Sequence, residues 1–402
     1  MPVRCGSGRR GDGAGDSVPT VSGAVEVRPV QGRGELTDFI KLPRGLHPGT
    51  PWVPPLTLER RQFLDRAKNP YFEHAEAEYF LAWRDGEPVG RITAQVDERW
   101  DAYQGGNDAQ FGFIEAVDDP VVFAALLGTA EAWGRERGRE RILGPMDFTM
   151  NDECGLLIEG YDIAPLILQP WHPPYYLERM EQSGYAKSMD LLMWKLSMGA
   201  LKQGDRFAEA IHAVADKVES EHGITVRNMR KNDLEAEIGR FMEVYNSAWG
   251  KNWGFVPVTE EEVRFQAKAL KQILDERWAF IAERDGEVMG AALTLPDINQ
   301  VLRKMDGRLL PLGWLRFLTG RRNIDYVRVF ALGVKPEHQH TGIAARFYVR
   351  HIETAAELGV PGGETGWILE VNEPMNRAME GMGGEVVKKY RLFEKPLQQN
   401  VN

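Results

Sequence analysis

The residues best suited to chemistry lie in the C-terminal half. The stretch VRVFALGVKPEHQHTGIAARFYVRHIETAAELG, 327–359, reads as an apolar strand from Val327 to Val334, a loop, and a helix starting near Gly342. The loop ends in Gln339-His340-Thr341-Gly342-Ile343-Ala344. Small residues at 342 and 344 let backbone N–H groups approach an anion, and a new helix adds unpaired N–H groups and the positive end of its dipole. A pyrophosphate suits such a cradle, but a helix start that uses glycine only for packing looks the same locally. His338 and His340 can add charge beside an anion, although histidine is largely neutral at pH 7. For His338 a solvated loop position is the plainer reading.

A second group follows in WILEVNEPMNRAMEGMG, 367–383. A strand over Trp367–Val371 puts Glu370 and Asn372 on one face by its period of two, and Asn376 faces the cleft or caps from the next helix. Glu370 can act as a base through water, and Asn372 can orient a substrate. Equally, Asn-Glu-Pro is a common helix entry, which makes the set an N-cap and turn. Tyr390 reads as a packing residue of the last strand. A third group lies at 144–180, where Asn151, Asp152, Glu153 and Cys154 are contiguous and Trp171, His172, Tyr175 and Tyr176 stand among prolines. Such a stiff aromatic loop either walls a substrate pocket, with His172 or Tyr175 near the chemistry, or packs two domains together.

The elements that position these residues occur twice. YFLAWRDGEPVGRITAQVD at 79–97 and AFIAERDGEVMGAALTLPD at 279–297 match at eight positions, including Arg84/Arg284, Asp85/Asp285, Gly86/Gly286 and Gly90/Gly290. Both read as hairpins turned at Asp-Gly. VEVRPV at 25–30 pairs with ITVRNM at 224–229, and Met180-Glu181 with Gly184 pairs with Met379-Glu380 with Gly383. Three blocks in one order at an offset of 199 or 200 residues imply a duplicated domain. Each copy reads β-α-α-β-β-β-α-β-α-β, an α/β fold on a mixed sheet. The boundaries that follow are a disordered tail at 1–23, copies at 24–198 and 224–402, and a linker helix at 199–223.

The spacing Gln339-x-x-Gly342-x-Ala344, preceded by Gly333-Val334-x-Pro336, resembles the acyl-CoA signature of the GNAT (GCN5-related N-acetyltransferase) superfamily. The element order in both copies is also similar to that family, so 24–397 resembles a tandem GNAT protein. The resemblance implies that Leu332, Gly333 and Val334 face pantetheine. It implies that Gln339, His340, Thr341, Gly342, Ile343 and Ala344 hold pyrophosphate, with acetyl-CoA or a longer acyl-CoA as co-substrate and no metal. The first copy lacks the loop, since its strand runs into Val117-Asp118-Asp119-Pro120. Aspartates suit a helix cap but repel a pyrophosphate, so this copy reads as a degenerate scaffold or substrate wall. Many family members protonate the leaving thiolate with a tyrosine on the helix after the fifth strand. Here 367–383 holds none, and Met379 occupies that region.

The expected activity is transfer of an acyl group from CoA to a small-molecule or lipid-like amine. One competitor is a member that binds or senses acyl-CoA without turnover. Another is an aminoacyl transferase built on paired GNAT-like domains, against which the retained loop speaks. The net charge of −10 over 402 residues argues against a general nucleic-acid partner. Two cysteines, Cys5 and Cys154, exclude a disulfide scaffold and fit a reducing cytosol. No run is long and apolar enough to span a membrane, and no secretory signal is expected. The second copy carries a surplus near 300–322 with a local charge of +5 and many leucines. It reads either as a peripheral contact with lipid at the inner membrane face or as a surface loop packed on the other copy. Oligomeric state is not legible.

Overall fold

The computed structural model describes residues 23–201, 206–250, 252–309, 311 and 313–397. The expected disordered tail at 1–23 lies outside these apart from Gly23. The first copy runs β1 (Glu26–Pro29), α1 (Gly32–Leu46), α2 (Thr57–Phe63), β2 (Ala75–Arg84), β3 (Glu87–Asp97), α3 (Glu98–Gln104), β4 (Asp108–Ala116), α4 (Pro120–Glu136), β5 (Arg141–Gly144), β6 (Leu156–Glu159), α5 (Tyr175–Gln182) and β7 (Ala186–Ser197). Two helices, α6 (Met198–Leu201) and α7 (Arg206–Ser220), lead on. The second copy runs β8 (Thr225–Asn228), α8 (Leu234–Ala248), α9 (Glu260–Leu270), β9 (Ala279–Arg284), β10 (Glu287–Pro296), α10 (Asn299–Leu302), α11 (Gly313–Gly320), β11 (Val327–Val334), α12 (Ile343–Leu358), β12 (Gly362–Leu369), α13 (Glu373–Gly381) and β13 (Glu385–Pro396).

Local chemistry explains many boundaries. Asp85-Gly86 and Asp285-Gly286 all have positive φ, as a tight hairpin turn requires. Asp119 caps α4 by accepting from the Val121 N–H at 2.7 Å. Thr259 and Glu262 form a reciprocal capping box on α9. The fifth strand of the second copy departs from expectation. It covers Gly362–Leu369 rather than 367–371, because glycines 362 and 363 sit where a neighbouring strand passes too closely for a side chain. A Cβ on Gly362 would lie 2.4 Å from the Leu196 carbonyl oxygen.

All strands join one sheet in the order β1-β2-β3-β4-β5-β13-β7-β12-β11-β10-β9-β8, with β6 beside β13. The closing strands are therefore exchanged. The last strand of the second copy, β13, pairs with β5 of the first from Phe393↔Gly144 to Pro396↔Arg141. The last strand of the first copy, β7, pairs with β12 of the second from Gly362↔Ser197 to Leu369↔Leu191. Between them β13 and β7 run antiparallel, tied by Arg391–Asp190 at 2.7 Å. The buried Lys388–Glu364 pair, 2.6 Å apart, also takes in Gln169 of the first copy. Four antiparallel strands at the centre hold the copies as one body.

Candidate active site

Each copy contains one place where parallel strands part. In the second copy β11 and β12 pair only from Val327↔Gly363 to Val329↔Thr365. Beyond this, Leu332, Gly333 and Val334 stay bonded to β10, but among the described residues no strand lies beside their other edge. Phe330 is an extra residue between the Leu293↔Ala331 and Thr294↔Val329 pairs. A bulge of this kind re-aims side chains and bends the strand. The strand leads into one stretch of 3-10 helix, Pro336–Thr341, and then α12. Gly342 lies between them with φ of +84°, and among the described residues no side chain caps α12. The N-terminal amides of α12 thus face a position that an anion can take.

The predicted loop residues are all here. Gln339 and His340 are exposed, Thr341 and Ile343 are buried, and Ala344 is half-buried. Thr341 donates to the His338 carbonyl at 2.6 Å, and Gln339 reaches back to the Val334 carbonyl at 3.5 Å. Gly342 also lets α7 approach, since a Cβ there would lie 2.7 Å from Val214 of that helix. Gly333 is needed because a Cβ would lie 2.3 Å from the Trp249 ring.

Below this strand edge a groove of about 680 Å³ runs between α12 and α13. It is lined by Val329, Leu332, Tyr348, His351, Met375 and Met379, among others. The sequence reading missed Tyr348. The usual acid was sought on α13, whereas Tyr348 faces the same groove from α12, on the stripe with His351, Ile352 and Ala355 that helical spacing creates. Its hydroxyl donates to the Met375 sulfur at 3.3 Å, a weak acceptor. Burial pushes its pKa up to about 12, so it stays protonated at neutral pH. Burial pushes His351 down to about 4. The neutral ring donates from Nδ1 to the Phe347 carbonyl at 2.7 Å and accepts at Nε2 from Thr294 at 2.8 Å.

A second groove, about 730 Å³, lies between α8 and α9 and is lined by Phe241, Tyr245, Val263, Ala267, Leu270 and Phe330. Val244 of α8 packs with Ile281 and Ala291, whereas Phe347 of α12 packs with Phe280 and Ala292, the alternate residues of the same strands. The two grooves therefore lie on opposite faces of the sheet, and both touch β11, one through Val329 and Leu332 and the other through Phe330.

The three expected catalytic residues do not gather at this gap. Glu370 and Asn372 share no strand face, because β12 ends at Leu369. Glu370 pairs with Lys187 at 2.6 Å and accepts from the Asp190 N–H. Asn372 caps α13 through the Met375 N–H at 3.3 Å. Asn376 accepts from the Trp194 indole at 3.0 Å and donates to the Leu369 carbonyl. Glu370 thus lies in the turn after β12, Asn372 caps α13 and Asn376 ties α13 to β7 and β12.

In the first copy β4 and β5 part after Gln110↔Leu143, but the end of the β4 edge is bonded by side chains. From α5, the Tyr175 hydroxyl donates to the Ala116 carbonyl at 2.7 Å. The Tyr176 hydroxyl accepts from the Ala116 N–H at 2.9 Å and donates to Glu115 at 2.8 Å. Two tyrosines thus bond the strand edge that is free in the second copy. Asp118 pairs with Arg179, and Asp119 pairs with Arg84 besides capping. His172 lines a polar cavity of about 840 Å³ in the same parting, with Ile114 and Glu115 of β4, Asp147 beyond β5, and Arg60 and Arg91 in its wall. Burial depresses it to about 4, and its Nδ1 accepts from the Leu157 N–H at 3.3 Å. Burial would raise Glu115, but the charge and hydrogen bond of His47 at 2.7 Å hold it near about 2.

Two parted parallel strands, one free-edged before an uncapped helix and one bonded by side chains, in two copies of one element order, define a tandem GNAT fold. A tandem GNAT protein from the clavulanic acid biosynthesis pathway superposes with a TM-score of 0.54 at 14% identity, over 93% of this chain and 99% of that one. No family model matches the chain. The bacterial ceramide synthase of Caulobacter vibrioides is 38% identical over 381 residues, 93% of this chain and 98% of that protein. Protein YghO of Escherichia coli is 37% identical, over 92% and 95% respectively. The chain belongs to the family of these two proteins.

Proposed function

We propose that the chain is an N-acyltransferase that moves an acyl group from CoA to the amine of a lipid-like acceptor, with the second copy as the catalytic one. The observation that carries this reading is the contrast between the two strand edges at the partings, one free and one bonded at Ala116 by Tyr175 and Tyr176. The free edge, the uncapped start of α12 and the groove below them fit an acyl-CoA, which supplies the activated thioester. Leu332, Gly333 and Val334 would pair with its amide-bearing arm. The backbone of Gln339, His340, Thr341, Gly342, Ile343 and Ala344 would meet its phosphates.

An N–H of the free edge can hold the carbonyl oxygen as charge grows there. Tyr348 can protonate the departing sulfur, and loss of that proton-transfer group costs typically a hundredfold or more. The relative from Caulobacter vibrioides is named a ceramide synthase, and a ceramide is an amide of a fatty acid with a long-chain amino alcohol. Two apolar grooves on opposite faces of the sheet, both touching β11, suit such a product: the acyl chain beside α12 and α13, the acceptor tail beside α8 and α9.

The test is release of free thiol and mass-spectrometric detection of amide. The full chain would be given short and long acyl-CoAs with soluble amines and long-chain amino alcohols. Amide from a long acyl-CoA and a long-chain amine supports the reading. Acyl-CoA binding without any amide across the panel would leave a binding protein instead.

A further inference from the structure

We infer that α11 docks on an anionic lipid bilayer and holds the α8–α9 groove beside the lipid phase. What the groove holds rests on the function proposed above, whereas the docking itself does not. The surplus segment between β10 and β11 turns Phe317 inward, where it packs with Ile298, Val301 and Met305. It turns Trp314, Leu315 and Leu318 outward, at 46, 47 and 44% exposure. Three large apolar side chains on a two-turn helix form an exposed apolar surface that folding does not account for. Arg316 on the same helix is exposed, and so are Arg303, Lys304, Arg308, Arg321 and Arg322 around it.

Apolar residues ringed by cations suit the plane between headgroups and acyl chains, and each cation near an anionic surface adds attraction. A second copy of this chain is a poor occupant, because two faces of charge +5 repel. The position connects the surface to the groove. Ile273, just after α9, packs with the Phe317 cluster, while the next residue, Leu274, lines the α8–α9 groove. Arg321 donates to the Gln272 carbonyl at 3.4 Å. On the other side, the Thr57 N–H donates to the Gly307 carbonyl at 3.2 Å, and Leu58, next in sequence, is 60% exposed.

Co-sedimentation of the full chain with phosphatidylcholine vesicles, with and without phosphatidylglycerol, tests this. Binding should require phosphatidylglycerol, weaken in high salt, and shift tryptophan emission to the blue. W314S/L315S/L318S should lose at least about tenfold in vesicle affinity. R321E/R322E should lose about fivefold or more per residue reversed. Thermal melting establishes that each variant folds. The proposal is overturned if the wild type ignores anionic vesicles or if the triple variant binds them equally. A wild-type dimer that the triple variant abolishes would overturn it too. Vesicle binding needs no acyl transfer, so acylation of a soluble amine in the same samples separates failure of docking from failure of the proposed activity.

Discussion

Tyr348 and His351 stand one helical turn apart and face the same groove, yet their chemistry differs. Tyr348 keeps its proton and shares it with a thioether. Tyr348→Phe should lower kcat about a hundredfold while KM for acyl-CoA changes only a few-fold. Turnover within threefold of wild type would remove Tyr348 from the mechanism. His351 is neutral and bonded at both nitrogens. Its folded pKa, about 4, lies below the ordinary histidine value of 6.5. The folded state therefore binds fewer protons, and its stability is full above pH 6.5 and declines as pH falls toward 4. The whole effect reaches about 3 kcal/mol. His172 is depressed in the same way, so His351→Gln should remove only part of the decline. Melting curves at pH 7 and pH 4 measure it, and an undiminished decline would count against the assignment. Glu370, Asn372 and Asn376 show the limit of residue type as evidence. A carboxylate and two amides look alike in a catalytic strand and in a helix entry, and only the end of β12 at Leu369 separates the two.

At the scale of elements, the duplication leaves one strand edge free at its parting and one bonded by side chains. The bonding comes from a short helix, α5, that offers two hydroxyls to Ala116. Tyr176 is fully buried, and Tyr176→Phe would strand the Ala116 N–H and leave the bonded Glu115 oxygen to His47 alone. A loss of about 1–3 kcal/mol is expected, and the proposed function, which puts acyl-CoA on the second copy, predicts unaltered acyl-CoA affinity. A matching loss of acyl-CoA affinity would mean that the first copy takes part in binding. The difference between the two loops was legible, since Asp118-Asp119 sits where the second copy has its glycine loop. The hairpins, α4 with its Asp119 cap, α12 and β11 were legible too, because turn chemistry and apolar period are local. The two tyrosines of α5 were visible only as aromatic residues among prolines, since no local pattern says which strand edge a hydroxyl will meet.

Over the whole molecule, two copies along the chain do not make two separable bodies. Each parts with its closing strand and receives the other's. This exchange was illegible, because β7 and β13 are similar strands and either would satisfy the same edge. Residues 24–198 alone should fail to give a cooperative thermal transition, having β5 with one edge open and β7 without either neighbour. Together with 206–402 they should form a one-to-one complex by size exclusion, and the intact chain should melt in one transition. A 24–198 fragment that unfolds cooperatively by itself would show the exchange to be dispensable. Among the described residues no helix is long and apolar enough to cross a membrane.

The exchange also orders events on the ribosome. The edge of β5 at Arg141–Gly144 is translated well before its partner, Phe393–Pro396. At a rate of about 5–20 residues per second, some 250 residues of synthesis leave that edge waiting for roughly 13–50 s. An unpaired strand edge invites pairing with another chain. The nascent N-terminal half therefore needs protection throughout that interval, and a C-terminal truncation releases it from the ribosome with the edge still bare.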